Sequence, residues 1–557
     1  MASYPAVDNL AIFNPAQVPK VYSANARITN DSLDVDATIT NNVLDVQVLG
    51  LNENGITTAP LKVGSDSSLQ VSLREPLSAF GELVTINPRP RIQCDAIYGI
   101  LSTDIDTQSA TGGSALASDS LFTVQSGISI GGYGVLRSKN IITYRPGQAM
   151  RIRGTASFTS GVANSIQAFG AFNVSNGFFV GYQGTTFGLW RRNPGATAIY
   201  RLTITNGTGG NETHSITLNG VLFTVATTGA LTTARVAEEI AENLNPTGWV
   251  SGVSPRSNGA TITFIQNTPG ATPGAFTYSS TGTATGTFAQ IRAGVANDDT
   301  TYFVPQSSWN IDTLDGSNSS MNPSGELLDP TKLNVWQITI PYLGAGSIKF
   351  YRMDSESHLE AVHCIEYTNS FTVPSQSNPS YRVGWISASL GSTTNLTVKG
   401  ASCAGFVDGD IYIVRNPFSF SGTITAGTTE YVIFALRGRG EFATRNNQRQ
   451  ITLQNLSACL ETANRICTVN IYLNPTLTGI VNWQFVNESL STVEYASPAT
   501  LTPSGGILIQ SFSITNAPTV QDLSKLDIRL TAFDTLAITA KTVSNTSPIL
   551  CSLNWTE

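Results

Sequence analysis

The stretch GGYGVLRSKNIITYRPGQAMRIRGTASFTSGVANSIQAFGAFNVSNGFFVGYQGTTFGLWRR, Gly131–Arg192, decides the fold class. Its apolar residues come in short runs, Gly134–Leu136, Ala149–Phe158, Gln167–Asn173, Gly177–Tyr182 and Thr186–Arg191, separated by Gly, Pro, Asn and Ser. Runs of this length bounded by turn residues read as β-strands, and no 3.6-residue periodicity competes with them. Upstream, Arg91–Tyr98 reads the same way. Downstream, so do Trp336–Ile340, Ser347–Met353, Ala361–Tyr367, Tyr381–Ser387 and Asp410–Val414. Turn signals at intervals of roughly 8–12 residues are the behaviour of a sandwich or jelly roll.

The pattern differs at both ends of the chain. Residues 27 to 73 repeat a short phrase, Leu33-Asp34-Val35, Leu44-Asp45-Val46, Leu61-Lys62-Val63 and Leu69-Gln70-Val71. Each copy puts two apolar side chains on one face of a short strand, which cannot bury that face alone. Residues 1–80 are therefore expected to be an assembly arm, either a stalk intertwined with other copies or an extended segment docked on another protein. In the last part, residues 428–557, Cys467, Val469, Ile471 and Leu473 alternate with polar residues, as do Ile549, Cys551, Leu553 and Trp555, which predicts a C-terminal β-sandwich.

One segment breaks the β pattern. TTARVAEEIAENL, residues 232–244, spaces Val236, Ile240 and Leu244 along one helical face, with Thr232 or Thr233 available as the cap and Pro246 closing it. Strand-like pieces flank it at Tyr200–Thr205, His214–Leu218, Val221–Ala226, Trp249–Val253, Ala260–Ile265 and Thr287–Arg292. Residues 197–296 are thus expected to form a small α+β module inserted in a central jelly-roll-like domain, residues 81–427. The expected class is all-β and multi-domain.

Composition narrows the function. Charged residues are only 12% of the 557, against roughly a quarter in an ordinary soluble protein, while 49 glycines and abundant Ser, Thr and Asn supply the polarity. A net charge of -7 with no Lys/Arg block argues against nucleic acid as a partner. No continuous apolar run approaches the roughly 18 residues of a membrane span, and the amino terminus lacks the pattern of a secretion signal. The six cysteines are dispersed and read as buried thiols rather than a disulfide scaffold or zinc module. Ten Asn-x-Ser/Thr sequons, Asn173 and Asn395 among them, are what a chain rich in these residues contains by chance.

The block around Arg145-Pro146-Gly147-Gln148, Phe158-Thr159-Ser160-Gly161, Phe178-Phe179-Val180-Gly181-Tyr182 and Phe187-Gly188 resembles a recurrent domain of virion proteins in algal giant viruses and large marine bacteriophages. Similar phrases recur in Trp309-Asn310-Ile311-Asp312, Leu314-Asp315-Gly316 and Leu343–Phe350, so the resemblance spans about residues 81–420. It implies a virion component of fibre, spike or minor-capsid type, with other capsid or tail proteins as partners. A receptor- or glycan-binding tail fibre is the rival reading, with a host-surface glycan or receptor as its partner. A homotrimer is the expected assembly, because three copies can close short strands around one axis and leave no edge exposed.

Residue types able to do chemistry are few. His358 and His363 are spaced i, i+5, where a metal site wants i, i+4 on a helix or i, i+2 on a strand, and His214 stands apart. Asp312 with Asp315, and Asp408 with Asp410, could be the paired carboxylates of a polysaccharide-cleaving tailspike. Their Gly-containing surroundings favour turn chemistry. Trp190 and Trp309 could stack on sugars but more often fill cores. Gly344-Ala345-Gly346 and Gly438-Arg439-Gly440 lack the strand-to-helix setting of a phosphate loop. No catalytic, cofactor-binding or metal residue is assigned, and the expected role is non-enzymatic.

Overall fold

The computed structural model describes residues 89–244, 252–341, 343–408, 416–479, 481–497, 501–526, 528–532 and 534–557, together with the backbone of four strands before residue 61. The chain divides into two compact units, Met1–Thr85 with Pro323–Gly325, and Ile86–Asn322 with Glu326–Glu557. It is all-β, 54% strand and 4% helical, and its strand pairs are antiparallel.

In the first unit, Ala26–Asn30, Leu33–Thr40, Val43–Leu51 and Thr58–Pro60 form an antiparallel meander. Asn30 lies opposite Leu33 and Thr40 opposite Val43, so the first three strands pair in register to their ends. The first two copies of the repeated phrase fall on successive strands. The copies at Leu61 and Leu69 lie outside the described residues.

The second unit begins with a large sandwich. One sheet runs Phe303–Pro305, Thr186–Arg192, Gly177–Gln183, Ser165–Phe172, Ser380–Ser389, Tyr133–Ser138 and Ile105–Ala110 in spatial order. The other runs Leu359–Ile365, Ile348–Met353, Asn334–Ile340, Met150–Phe158, Thr397–Gly400, Leu121–Gln125 and Ser114–Ser118. Within the second sheet, Ser402–Val407 joins Met150–Phe158 to Arg89–Asp95. Strict alternation drives the packing: Met150–Phe158 buries every second residue, and its Ile152 shares one core with Phe169 and Trp385 of the facing sheet. Trp385 Nε1 donates to Thr155 O at 2.9 Å, which ties the two sheets at their centre. Arg145-Pro146-Gly147-Gln148 is a tight turn, with Gln148 N donating to Arg145 O at 3.1 Å and Gly147 at φ +85°. At Gly181 a Cβ would sit 2.0 Å from Gln167 O, so this position of the FFVGY strand admits only glycine.

The module from residue 197 is held at its base by the bridges Asn193–Asp298 and Ala196–Val295, which bring the two ends of the insertion together. It consists of the sheet Val253–Asn258, Thr261–Gln266, Ile199–Asn206, Thr285–Arg292, the sheet Val221–Thr227, Glu212–Leu218, Thr277–Ser280, and the helix Thr233–Leu244. Thr232 supplies the cap, its hydroxyl accepting from Arg235 N at 3.3 Å. Val236, Ile240 and Leu244 are buried among the module's strands, as their spacing predicts. Pro246 lies outside the described residues, as do residues 249–251 of the strand expected at Trp249–Val253.

The C-terminal sandwich packs Pro417–Ala426, Ser547–Thr556, Ile451–Leu460 and Thr519–Asp522 against Val493–Ala496, Tyr431–Gly438, Thr535–Thr542, Cys467–Leu473 and Ile507–Ile514. Pro417–Ala426 pairs along its whole length with Ser547–Thr556, so this sandwich starts before residue 428, where the sequence pattern alone set its border. The partner that claims this strand is the far end of the chain, which no local pattern reveals. The strand expected at Asp410–Val414 lies outside the described residues. Conversely, Ile105–Ala110, Ser114–Ser118, Leu121–Gln125, Thr397–Gly400 and Ser402–Val407 are strands that the sequence reading did not list.

Candidate functional site

The residue types singled out for chemistry are dispersed and engaged. His358 sits on an exposed turn, its Nδ1 3.3 Å from Asp354, while His363 is buried and its Nδ1 accepts from Asn310 N at 3.1 Å. Burial lowers the His363 pKa to about 4, so its ring is neutral. The i, i+5 spacing sends the two rings to different environments. His214 is buried in the module with both nitrogens bonded, Nδ1 to Tyr278 Oη and Nε2 to Thr227 Oγ1, each at 2.9 Å. Among the described residues no group of three or more His, Cys, Asp and Glu is arranged to hold a metal ion.

The carboxylate pairs resolve into turns and an ion pair. Asp312 is buried and accepts from Leu314 N at 3.0 Å, and Asp315 accepts from Ser317 N at 2.9 Å. Each bonds the backbone two residues on, the turn chemistry of Asp. Bonds from Ser317 hold the Asp315 carboxyl below its ordinary range. Asp408 pairs with Arg151 at 2.9 Å, and Asp410 lies outside the described residues. Trp190 and Trp309 are buried in the central domain, so neither offers a face to a sugar. Four cysteines are buried as expected, but Cys364 and Cys459 are only partly so. The Asn173 sequon is internal, its amide donating to Asn378 O and Ser380 O.

The most organised polar constellation is one the sequence reading missed. Where the module meets the C-terminal sandwich, Arg437 and Glu494 form a buried ion pair at 2.7 Å on neighbouring strands. Arg437 Nη2 donates to Ser257 O at 3.0 Å, and Asn258 Nδ2 donates to the Glu494 carboxylate at 3.2 Å, both from the module. Arg256 of the same strand donates to Ala532 O at 3.0 Å. Burial and the Arg437 charge lower the Arg256 pKa to about 10, against the opposing pull of Glu494. Glu494 thus bonds Arg437 and acts on Arg256 through its charge. Arg437 also lies over the Trp483 ring at 4.2 Å, and Arg439 over Phe485 at 4.0 Å.

The seam continues around the module. Arg292 donates to Thr444 O at 2.9 Å, Thr197 Oγ1 donates to Asn446 Oδ1 at 2.6 Å, and Arg201 reaches Glu441 at 3.5 Å. Arg445 of the same hairpin touches Ser377 O of the central sandwich at 3.5 Å. Between the two sandwiches lies a crevice of about 50 Å³ lined by Thr103, Lys139, Asn140, Asn474, Arg529 and Asp534. That volume suits a water or two and is too small for a sugar ring. The chemical capacity of the constellation is to clamp three β-rich bodies together. A sparse charge content was the available sequence signal, but it could not say which charges meet.

No family model matches the chain, and no curated protein matches it. Solved structures with partial likeness include a GH43 glycoside hydrolase engineered for endo-xylanase and exo-arabinofuranosidase activity, at 10% identity and TM-score 0.25, covering 67% of this chain and 51% of that one. A lectin from Bauhinia forficata in complex with GalNAc aligns at 9% identity and TM-score 0.21, covering 58% of this chain and 98% of the lectin. A structure of Sulfolobus Turreted Icosahedral Virus aligns at 8% identity and TM-score 0.13, covering 82% of this chain and 90% of that one. The chain thus spans about half the length of the glycoside hydrolase, and likeness at this level assigns neither family nor activity.

Proposed function

We propose that this chain is a structural component of a large DNA virus particle, of fibre, spike or minor-capsid type, acting by assembly with other virion proteins. The observation that carries the reading is the buried Arg437–Glu494 pair with Arg256 beside it, whose bonds to Ser257, Asn258 and Ala532 join the inserted module to the C-terminal sandwich. A β-scaffold whose parts are joined by buried polar contacts suits a part that bears load and presents surfaces. The resemblance of residues 81–420 to virion proteins supports the same role, and the N-terminal meander supplies a separate unit for attachment. A non-enzymatic role is supported by the engagement of His214, His363, Asp312 and Asp315 in structural bonds. A homotrimer is the proposed assembly.

The test compares full-length protein with a version lacking residues 1–80 by light scattering and negative-stain microscopy, alongside peptide mass spectrometry of purified particles. Elongated trimers from the full-length chain alone would support a fibre stalk. Compact monomers from both would move the arm onto a second virion protein and favour a minor-capsid role. Absence of the chain from particles purified from the infected host would overturn the reading.

A further inference from the structure

Six cysteines are free among the described residues, and one pair of them is directly opposed across a β-ladder. Cys94 on Arg89–Asp95 lies in register with Cys403 on Ser402–Val407. Directly opposed residues of antiparallel strands have Cα atoms about 4.5 or 5.5 Å apart, according to their hydrogen-bonding position. Both separations fall within the roughly 4.4–6.8 Å that a disulfide spans. The other cysteines have no such partner: Cys551 faces Gly422 and Ala458, Cys467 faces Thr542 and Ile514, Cys459 faces Leu550, and Cys364 faces Lys349.

The two thiols differ in how firmly they are held. Cys403 is clamped from both sides, with Met150–Phe158 as its second neighbour and Gly154 so close that a Cβ there would lie 3.0 Å from Cys403 Cβ. Cys94 belongs to a strand that pairs on one side only, an edge whose Arg89, Pro90, Gln93 and Asp95 are exposed. Both side chains are buried, at 7% and 3% exposure, and they interact directly. A hydrogen bond donated by Cys403 to Cys94, together with burial, keeps Cys403 protonated well above the ordinary thiol range. The thiols are therefore quiet while the ladder is closed, and reaction waits on fraying of the edge.

We propose that Cys94 and Cys403 form a redox-gated staple: on meeting a low-molecular-weight disulfide they join in a cross-strand disulfide that locks the edge strand Arg89–Asp95 to the sheet. When the edge frays, Cys94 loses its proton to solvent and its sulfur attacks glutathione disulfide, releasing one glutathione thiolate. Cys403, deprotonated in turn, attacks the Cys94 sulfur of the mixed disulfide and releases the second glutathione. Two protein thiols are oxidised by two electrons, one glutathione disulfide is reduced to two thiols, and the protons lost pass to the released thiolates. The staple stands on the ladder geometry and is independent of the role in a particle.

The experiment treats the full-length protein with glutathione disulfide, quenches with an alkylating agent and maps peptides without reduction. The expected result is an intramolecular Cys94–Cys403 peptide, formed at a rate proportional to glutathione disulfide and lost on reduction. Tryptic cleavage after Arg91 should slow about tenfold or more in the oxidised protein, since the staple removes the local opening that exposes the bond. The Cys403→Ser variant should instead accumulate glutathione on Cys94 and keep the faster cleavage. Should that variant fail to fold, the map of the unmodified protein still decides. The proposal is overturned if Cys94 and Cys403 stay reduced while Cys364 or Cys459 reacts, if glutathione remains on Cys94 of the unmodified chain without transfer, or if oxidation leaves cleavage after Arg91 unchanged.

Discussion

Replacing Glu494 with glutamine removes the carboxylate that bonds Arg437 and acts on Arg256 through its charge, while keeping the shape of the side chain. Arg437 and Glu494 expose only 11% and 5% of their side chains, so water cannot take over the lost charge. Breaking a buried pair by removing one partner costs about 3–5 kcal/mol. Glutamine can still accept one bond, from Arg437 or from Asn258, so the lower end, about 3 kcal/mol, applies. Spread over a sandwich of about 140 residues, whose unfolding entropy is about 0.3 kcal/mol/K, this lowers its melting temperature by roughly 10 °C. The assay is calorimetry of the full-length chain, with the C-terminal transition identified by hydrogen exchange on Tyr431–Gly438. Adding Arg437→Met should recover at least half of the loss, because it removes the stranded charge. A single variant that melts within about 1 °C of the parent would refute the view that this cluster clamps the module to the sandwich.

Four further outcomes follow from other parts of the structure. Burial opposes ionisation of Glu212, but bonds from Ser280, Ala284, Thr283 and Gly209 outweigh it and bring the carboxyl to about 2. Its contribution is present above the ordinary carboxylate pKa near 4.5 and fades as pH falls toward 2, so amides 279–284 should lose exchange protection across that window, and Glu212→Ala should lower the protection at neutral pH and abolish its pH dependence. His363, depressed to about 4, favours the folded state above pH 6.5 and loses that contribution as pH falls toward 4, and its ring carbon NMR shifts should stay flat between pH 7 and 5.5. Trp385 fills the central core beside Phe122 and Phe169, and Trp385→Ala should cost about 3–5 kcal/mol in denaturant unfolding. Gly400→Ala should harm the same core, since a Cβ there would meet Trp385 and Thr155 O at 2.5 Å.

Alternation along the chain was enough to read all-β architecture, because burial of one sheet face is written in every second residue. Met150–Phe158 shows it without a break, burying each alternate position from Met150 to Phe158. The helix Thr233–Leu244 was equally legible, since its cap and apolar stripe lie within thirteen consecutive residues. The sequence also indicated that Asp315 belongs to a turn, because its partner Ser317 is two residues away. Tertiary structure alone decided what depends on distant partners. Strands rich in Ala, Ser and Gly, such as Ser402–Val407, become strands because Arg89–Asp95 and Met150–Phe158 offer them hydrogen bonds from residues some 250 to 310 positions away. Pro417–Ala426 joins the C-terminal sandwich because the last strand accepts it, and Cys94 meets Cys403 for the same kind of reason. The Arg437–Glu494–Arg256 cluster is the furthest from local reading. A buried charge is tolerable only when its counter-charge arrives with it, and here one guanidinium comes from a module inserted more than 150 residues earlier in the chain.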